Sequence, residues 1–488
     1  MFVHIYYIDC TEREEAASGL VGTGTDTVRD LLVPGAVHMA GRLVATTVLK
    51  IVGLLVITRL VGPQHYGAYV VAFGIYSFAV QVGEAGIVTA LVRRAEEPPE
   101  TGWRTAGTLL AAAALILALL LAMLGQAIAD YAAAAEIAWL LPLIAVALPL
   151  QLLTGVAIGR LERRLDYRLV ARVELSRDLV YYLLAFALAA TGWGATALGS
   201  ALLAQHACGF MLAHRLAGRW PGFGFDRLEA RALLRFATGF SGANLLWQAR
   251  SLVLPLIAAP LIGPAATGVA GLTVGIVQAL SAAMNIIWRM GVASLARVQG
   301  DAVSMAAGIG AAMRLSVLAA AVPLLGFGWL GGMLVSSLFG ERWAAAVTLF
   351  PFVATAYLTA ALFRPHSAAL TALSRHGALA VFHAVHLAVL ALATLLLVPR
   401  FGLIGLGLAE LAAIPAFVLL HWQVRRIIGH LPMAVAFAWW AAAAAGLFWR
   451  EIGIAALLLP IVVLALPQSQ RQLRDYRSML WPRAQASA

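Results

Sequence analysis

The sequence predicts an all-α polytopic membrane protein with about fourteen transmembrane helices, arranged as two pseudo-symmetric six-helix lobes followed by two C-terminal helices. Three observations predict it. Hydrophobic residues make up 62% of the 488 and charged residues only 12%. Apolar stretches of about 20 residues, the length a helix needs to cross a bilayer, fill almost the whole chain. The chain also repeats itself: Leu60-Val61-Gly62-Pro63 recurs as Leu261-Ile262-Gly263-Pro264 at an offset of 201 residues, and Gly41, Gly67, Gly74 and Ile75 recur as Gly242, Gly268, Gly275 and Ile276. The long runs are helices and not barrel strands, because in hydrocarbon each backbone amide needs a partner inside its own segment.

In chain order, residues 1–36 hold only a short apolar run from Phe2 to Ile8 without a basic flank, too short for a secretory signal core. Gly19, Gly22 and Gly24 are too irregular for a dinucleotide fingerprint, so the segment reads as a cytoplasmic tail. The first lobe, 37–216, carries spans at 37–58, 67–91, 105–127, 137–159, 168–190 and 195–216. A basic cytoplasmic linker, 217–236, leads to the second lobe, 237–424, with spans at 237–261, 266–289, 309–337, 344–363, 375–397 and 402–424. Residues 425–467 supply the last two helices, at 433–449 and 452–467, and 468–488 form a second cytoplasmic tail.

Arginines give the orientation. Alternate connections carry Arg93, Arg94 and Arg104, then Arg160 to Arg172, then Arg215 to Arg235, then Arg289, Arg297 and Arg314; Arg364, Arg375, Arg425, Arg426 and the C-terminal arginines continue on that side. The opposite side shows only Arg59, Arg342, Arg400 and Arg450. The positive-inside rule makes both termini and the basic loops cytoplasmic in an inner (plasma) membrane. The formal charge of +11 then describes contact with anionic membrane lipids and not with nucleic acid.

Several chemistries are excluded or disfavoured. Lys50 is the only lysine and no glycine pattern precedes it, so a Walker A phosphate loop cannot exist here. The external loops are short and offer little beyond Asp130, Glu136, Glu341 and Glu451, too few convergent titratable groups for an enzyme. Cys10 and Cys208 make neither a disulfide framework nor a metal cage. His383 and His386, at i, i+3, lack a third ligand. No cofactor and no metal are expected.

Ionisable residues inside spans are costly and commonly line a water-filled path. Lys50 shares a polar stripe with Arg42, Thr46 and Gly53 on the first span; Arg250 sits mid-way along the seventh, near Asn244, Trp247 and Gln248. Lys50 lies 13 residues before Pro63 and Arg250 14 before Pro264, so the two cations sit at nearly one depth, as a cavity holding an anion requires. The alternative is that each snorkels or pairs privately with a buried carboxylate. Ser77, Gln81 and Glu84 form a polar face on the second span, and Glu84 stands as far after Pro63 as Arg42 stands before it, which predicts an ion pair. Asn285 occupies the repeat position of Glu84. Gln205, His206 and Glu410 line a path or satisfy neighbouring helices, and Glu174, Arg177 and Asp178 read as a solvated cluster near a span end.

Arg59-Leu60-Val61-Gly62-Pro63, then Tyr66-Gly67-Ala68-Tyr69, Glu84-Ala85-Gly86 and Arg93-Arg94, resemble the oligosaccharide flippase (Wzx-type) family of polysaccharide exporters, within the multidrug, oligosaccharidyl-lipid and polysaccharide flippase superfamily. Gly340-Glu341-Arg342-Trp343-Ala344-Ala345-Ala346 is similar to a later family motif, whereas Gly268-Val269-Ala270 lacks the tyrosine common in the second repeat. The resemblance covers about residues 36–467. It implies the two-lobed exporter fold and alternating-access movement of undecaprenyl-diphosphate-linked oligosaccharide units for surface polysaccharide, lipopolysaccharide or exopolysaccharide biosynthesis, beside a polymerase and other polysaccharide-assembly proteins. The candidate substrate-binding residues are Lys50, Arg250, Arg42, Glu84, Gln81, Asn244 and Gln248, chosen on depth and charge. A cation-coupled multidrug antiporter, a peptidoglycan lipid-precursor flippase and a membrane scaffold are the alternatives.

Overall fold

The protein, seen in a computed structural model, is described over residues 25–480, with side chains described from Val52 onward except those of 238–241, 243, 283, 285–286, 289–290, 293 and 475–480. The described residues are helical almost throughout and contain no strand. The chain forms two compact units, one ending at Leu245 and the other beginning at Leu246.

The first unit contains α1 (Thr25–Glu84), α2 (Ile87–Val92), α3 (Glu100–Tyr131), α4 (Ile137–Ala145), α5 (Ala147–Arg163), α6 (Tyr167–Ala190) and α7 (Ala195–Ala217), and α8 (Arg227–Ala249) runs into the second. There, a 3₁₀ turn at Arg250–Leu252 and a π-helical turn at Val253–Ala258 lead into α9 (Ala259–Leu280), α10 (Ala283–Ala296) and α11 (Ala302–Leu334). α12 (Ala345–Ala372), α13 (His376–Ala412), α14 (Ala416–Ile428), α15 (Ala434–Leu447), α16 (Trp449–Ile452), α17 (Leu458–Ala465) and α18 (Pro467–Leu480) complete it.

The repeated Gly-Pro motifs make the same backbone twice. Gly62 adopts φ 78, ψ 166 and Gly263 φ 78, ψ 169, breaking α1 and α9. Only glycine takes that conformation at low cost, and the following proline both bars the α region for the residue before it and removes a ladder donor. A second matched pair escaped the sequence reading: Gly194 (φ 55, ψ −132) opens α7, and Gly402 (φ 56, ψ −130) breaks α13. Each follows an aromatic residue and precedes a Leu-Gly pair, Leu198-Gly199 and Leu406-Gly407. In both units that second glycine is a close contact. A Cβ on Gly199 would lie 2.6 Å from Leu140 of α4, and one on Gly407 2.7 Å from Phe352 of α12. Small residues of this kind let helices pack where lipid supplies no hydrophobic drive between them.

Eight helices among the described residues are long and apolar enough to cross a membrane, or nine if the bent pair Ile454–Ala465 and Pro467–Arg474 is one span. Three of these helices each hold two of the fourteen expected spans, joined across a kink, and residues before Val52 lie outside the count. Val52–Val92, Asn244–Leu280 and the 53-residue His376–Ile428 each run through a glycine break, and the last is more than twice the length a bilayer needs. Ala434–Leu447 is short for a span, and α6 carries Arg168, Arg172, Glu174, Arg177 and Asp178 in its first half. Helix begins at Thr25, inside the expected N-terminal tail, and α18 occupies most of the expected C-terminal one.

Candidate functional site

Arg250 marks the point where α8 gives way to a 3₁₀ turn and then a π-helical turn. Pro255 explains the irregularity, since its missing N–H opens the ladder one turn back, at Ser251. The expected uniform helix over 237–261 is thus re-aimed at its ionised residue. Arg250 Nη2 donates to Glu410 Oε2 at 2.5 Å, with the two side chains 19% and 13% exposed. Its guanidinium lies 5.6 Å from the Tyr357 ring centroid and 5.9 Å from that of Trp247, within cation–π range. His386 and Phe417 close the surroundings, leaving about 10 Å³, close to the smallest space that holds one water. The arrangement is therefore the private pairing weighed against the free cation: Glu410 neutralises Arg250, and the described conformation has no room for a diphosphate beside it.

The other chosen residues are placed unevenly. The side chains of Lys50 and Arg42 lie outside the described residues, as does that of Asn285. Gln81 and Glu84 are half-buried near the end of α1, where Ala85 (φ 41) and Gly86 (φ 76) break the helix, and Glu84 has partners. Asn244 is exposed, and Gln248 is half-buried and accepts from Ser251 through its carbonyl at 2.6 Å. His383 faces the Trp247 ring at 5.1 Å. Among the described residues no group of three His, Cys, Asp or Glu side chains could hold a metal ion.

Sequence reasoning missed the polar centre of the first unit. Arg177, expected in a solvated cluster, lies against Gly209, where a Cβ would meet its side chain at 2.5 Å. Arg177 Nη2 bonds Gln151 Oε1 at 3.0 Å and His206 Nδ1 at 3.2 Å, while Asp178 accepts from Gln205 at 3.4 Å. A tyrosine ladder on α1 runs past it: Tyr69 stacks on Phe73 and Phe73 on Tyr76, Tyr76 meets the His206 ring, and Tyr181 donates to Tyr69 at 3.2 Å. Gly209 opposite Arg177 was the available signal, because a glycine in a span makes room for a long side chain.

The basic connections are also partly spoken for. Glu100 receives Arg160 through two bonds of 2.9 and 3.0 Å and Arg219 at 3.1 Å. Arg94 grips Glu229 at 2.7 and 3.2 Å, and Arg163 caps carbonyls of Leu91, Val92 and Arg94. Thr105 and Thr108 strap the linker at Gly224 and Asp226. These arginines hold the first unit together instead of standing free for lipid.

The sequence profile of the family described as "Polysaccharide biosynthesis protein" matches residues 56–348, more than half of the chain. The chain belongs to the polysaccharide biosynthesis protein family. The match contains both Gly-Pro breaks and ends inside α12. Succinoglycan biosynthesis transport protein ExoT of Rhizobium meliloti (strain 1021) is 30% identical over 197 residues, which span 40% of this chain and 40% of that relative. In fold, the chain is similar to lipid II flippase MurJ in an inward closed conformation, with a TM-score of 0.70 at 12% identity over 91% of this chain and 99% of that one. It is also similar to an inward-facing multidrug resistance MATE family transporter of the MOP superfamily, with a TM-score of 0.59 at 14% identity over 78% and 95%. At such identities the likeness is one of fold. The family read from the Arg59-to-Pro63, Tyr66-to-Tyr69 and Gly340-to-Ala346 motifs is the one found, the fold is that of MurJ- and MATE-type transporters, and the protein is an integral membrane protein of this family.

Proposed function

We propose that the protein is a flippase moving undecaprenyl-diphosphate-linked oligosaccharide units from the inner to the outer leaflet of the inner membrane, by alternating access, for surface or exopolysaccharide biosynthesis. Membership of the polysaccharide biosynthesis family in a chain with a transporter fold carries the reading. In it, 37–216 and 237–424 are the two lobes, 217–236 the linker, both termini are cytoplasmic, and a polymerase takes the product on the far side. A diphosphate crossing hydrocarbon needs cations at the depth it passes, while its polyprenyl tail stays in lipid. Lys50 and Arg250 supply them, with Gln81, Asn244 and Gln248 as polar neighbours and Arg42 paired with Glu84. Arg250 takes part by exchanging Glu410 for a phosphate, since a guanidinium fork fits either oxyanion bidentately. A cationic-drug antiporter calls for a free deep acid, and Glu410 is neutralised by Arg250.

The test follows lipid-linked sugar on the cytoplasmic leaflet against surface polysaccharide, in cells making equal amounts of each variant. Cells lacking the protein should accumulate the former and lose the latter. Restoration by the native chain and failure by Lys50→Ala, and by Arg250→Met with Glu410→Leu, are expected. Normal surface polysaccharide without the protein sinks the flippase reading, whereas normal polysaccharide from the variants returns these residues to structural roles.

A further inference from the structure

The second unit holds a much larger cavity than the Arg250 pocket, about 360 Å³, within the range of small-ligand sites. Three elements build it. α11 supplies Arg314; α14 supplies His421 and Arg425, one turn apart on one face; and the connection into α15 supplies His430 and the first turn of that helix. Gly429 (φ 94) reverses the chain after α14, and Pro432 comes down on Gly310 so closely that a Cβ there would lie 2.5 Å from its ring. Gly310 is one turn before Arg314, so this close seat brings the arginine under the connection.

The charged side chains of the lining suit an anion. None of the nine lining residues is acidic, and two are arginines. Arg314 Nε is buried and has no hydrogen-bond partner among the described residues, a cost a structure seldom leaves unmet. His421 Nδ1 is engaged by His366 Nε2 at 3.1 Å, which leaves Nε2 of His421 for another partner. The 14-residue α15 starts without a side-chain cap on its N–H groups, and Ala434 and Val435 of that first turn line the cavity. A helix N-terminus and two arginines lining one cavity are a strong electrostatic setting for a phosphate oxygen.

We propose that this cavity is a binding site for a phosphate or diphosphate group, supplied either by an anionic lipid headgroup or by a free anion. The proposal stands whatever the cargo of the transporter, because neither Arg314 nor Arg425 belongs to the path assigned above.

The experiment uses the full chain purified in neutral detergent and reads thermal unfolding against rising inorganic pyrophosphate, dihexanoyl-phosphatidylglycerol, or zwitterionic dihexanoyl-phosphatidylcholine as the control without net charge. Saturable stabilisation by pyrophosphate identifies a free anion, and stabilisation by phosphatidylglycerol alone identifies a headgroup. Arg425 is exposed, so Arg425→Gln leaves the fold intact; it and Arg314→Gln should each weaken the apparent affinity by about tenfold or more, the value of one charge-assisted bond. Arg426→Gln removes the same charge one residue away, where Arg426 lies over the Trp422 ring, and should leave affinity unchanged. No saturable stabilisation by either anion, or equal weakening by Arg426→Gln, overturns the site.

Discussion

Arg250 and Glu410 neutralise each other in the second unit, and the strength of that arrangement lies in the cost of breaking it. Removing one partner leaves a lone ion among Trp247, Tyr357 and Phe417, which costs about 3–5 kcal/mol, while replacing both by apolar residues of similar volume is often neutral. Arg250→Met alone and Glu410→Leu alone should therefore lower the unfolding temperature of the detergent-purified protein sharply, and the double variant should recover most of the loss. Additive losses would mean that the two do not act as a pair. Depth and charge made Arg250 legible in the sequence, and Glu410 was legible as a deep acid. Their contact was not, because 160 residues separate them and only packing brings them together. Arg177 was misread for the opposite reason: its neighbours Glu174 and Asp178 suggest a wet surface, and only the distant Gly209, Gln151 and His206 make it an interior residue.

At the scale of elements, glycine breaks carry the design. Leu-x-Gly-Pro was visible as a repeat because its four residues are nearly identical, and the matched dihedrals of Gly62 and Gly263 turn that repeat into geometry. The Gly194 and Gly402 pair has the same conformational match with little sequence identity and an offset of 208 instead of 201, so a search at fixed spacing passes over it. An L residue at either Gly-Pro break must adopt a backbone conformation that costs on the order of 1–3 kcal/mol. Gly62→Ala and Gly263→Ala should each lower thermal stability by that order, whereas Gly242→Ala, in regular helix with open space around its Cβ, should be neutral or slightly stabilising. An unchanged melting temperature for both break variants would show that the strain is relieved elsewhere. The irregular turns after Arg250 were beyond reach in the sequence, where Pro255 inside an apolar run looks like an ordinary span residue.

For the whole molecule, hydrophobic content and the spacing of apolar runs made the membrane class and all-helical architecture readable, since both depend on composition and period alone. How many separate spans there are was harder to read where a segment is short, as at Ala434–Leu447, or carries charges along half its length, as α6 does. Orientation rests on arginine counts, and the structure shows that Arg94, Arg160, Arg163 and Arg219 are held by carboxylates or carbonyls within the first unit. The positive-inside rule acts on the unfolded loops during insertion, so this later pairing leaves the expected orientation unchanged. Single cysteines in a chain carrying Cys10→Ser and Cys208→Ser provide the check. Glu97→Cys, Asp166→Cys and Gly300→Cys lie in connections on the basic side; Ala135→Cys, Thr191→Cys and Glu341→Cys lie in connections on the other, and all six positions are exposed. A membrane-impermeant maleimide added to intact cells should label the second set, and should reach the first only after the inner membrane is opened. Labelling of the first set in intact cells would invert the orientation, and labelling that mixes the two sets would break the alternation of connections on which the assignment depends.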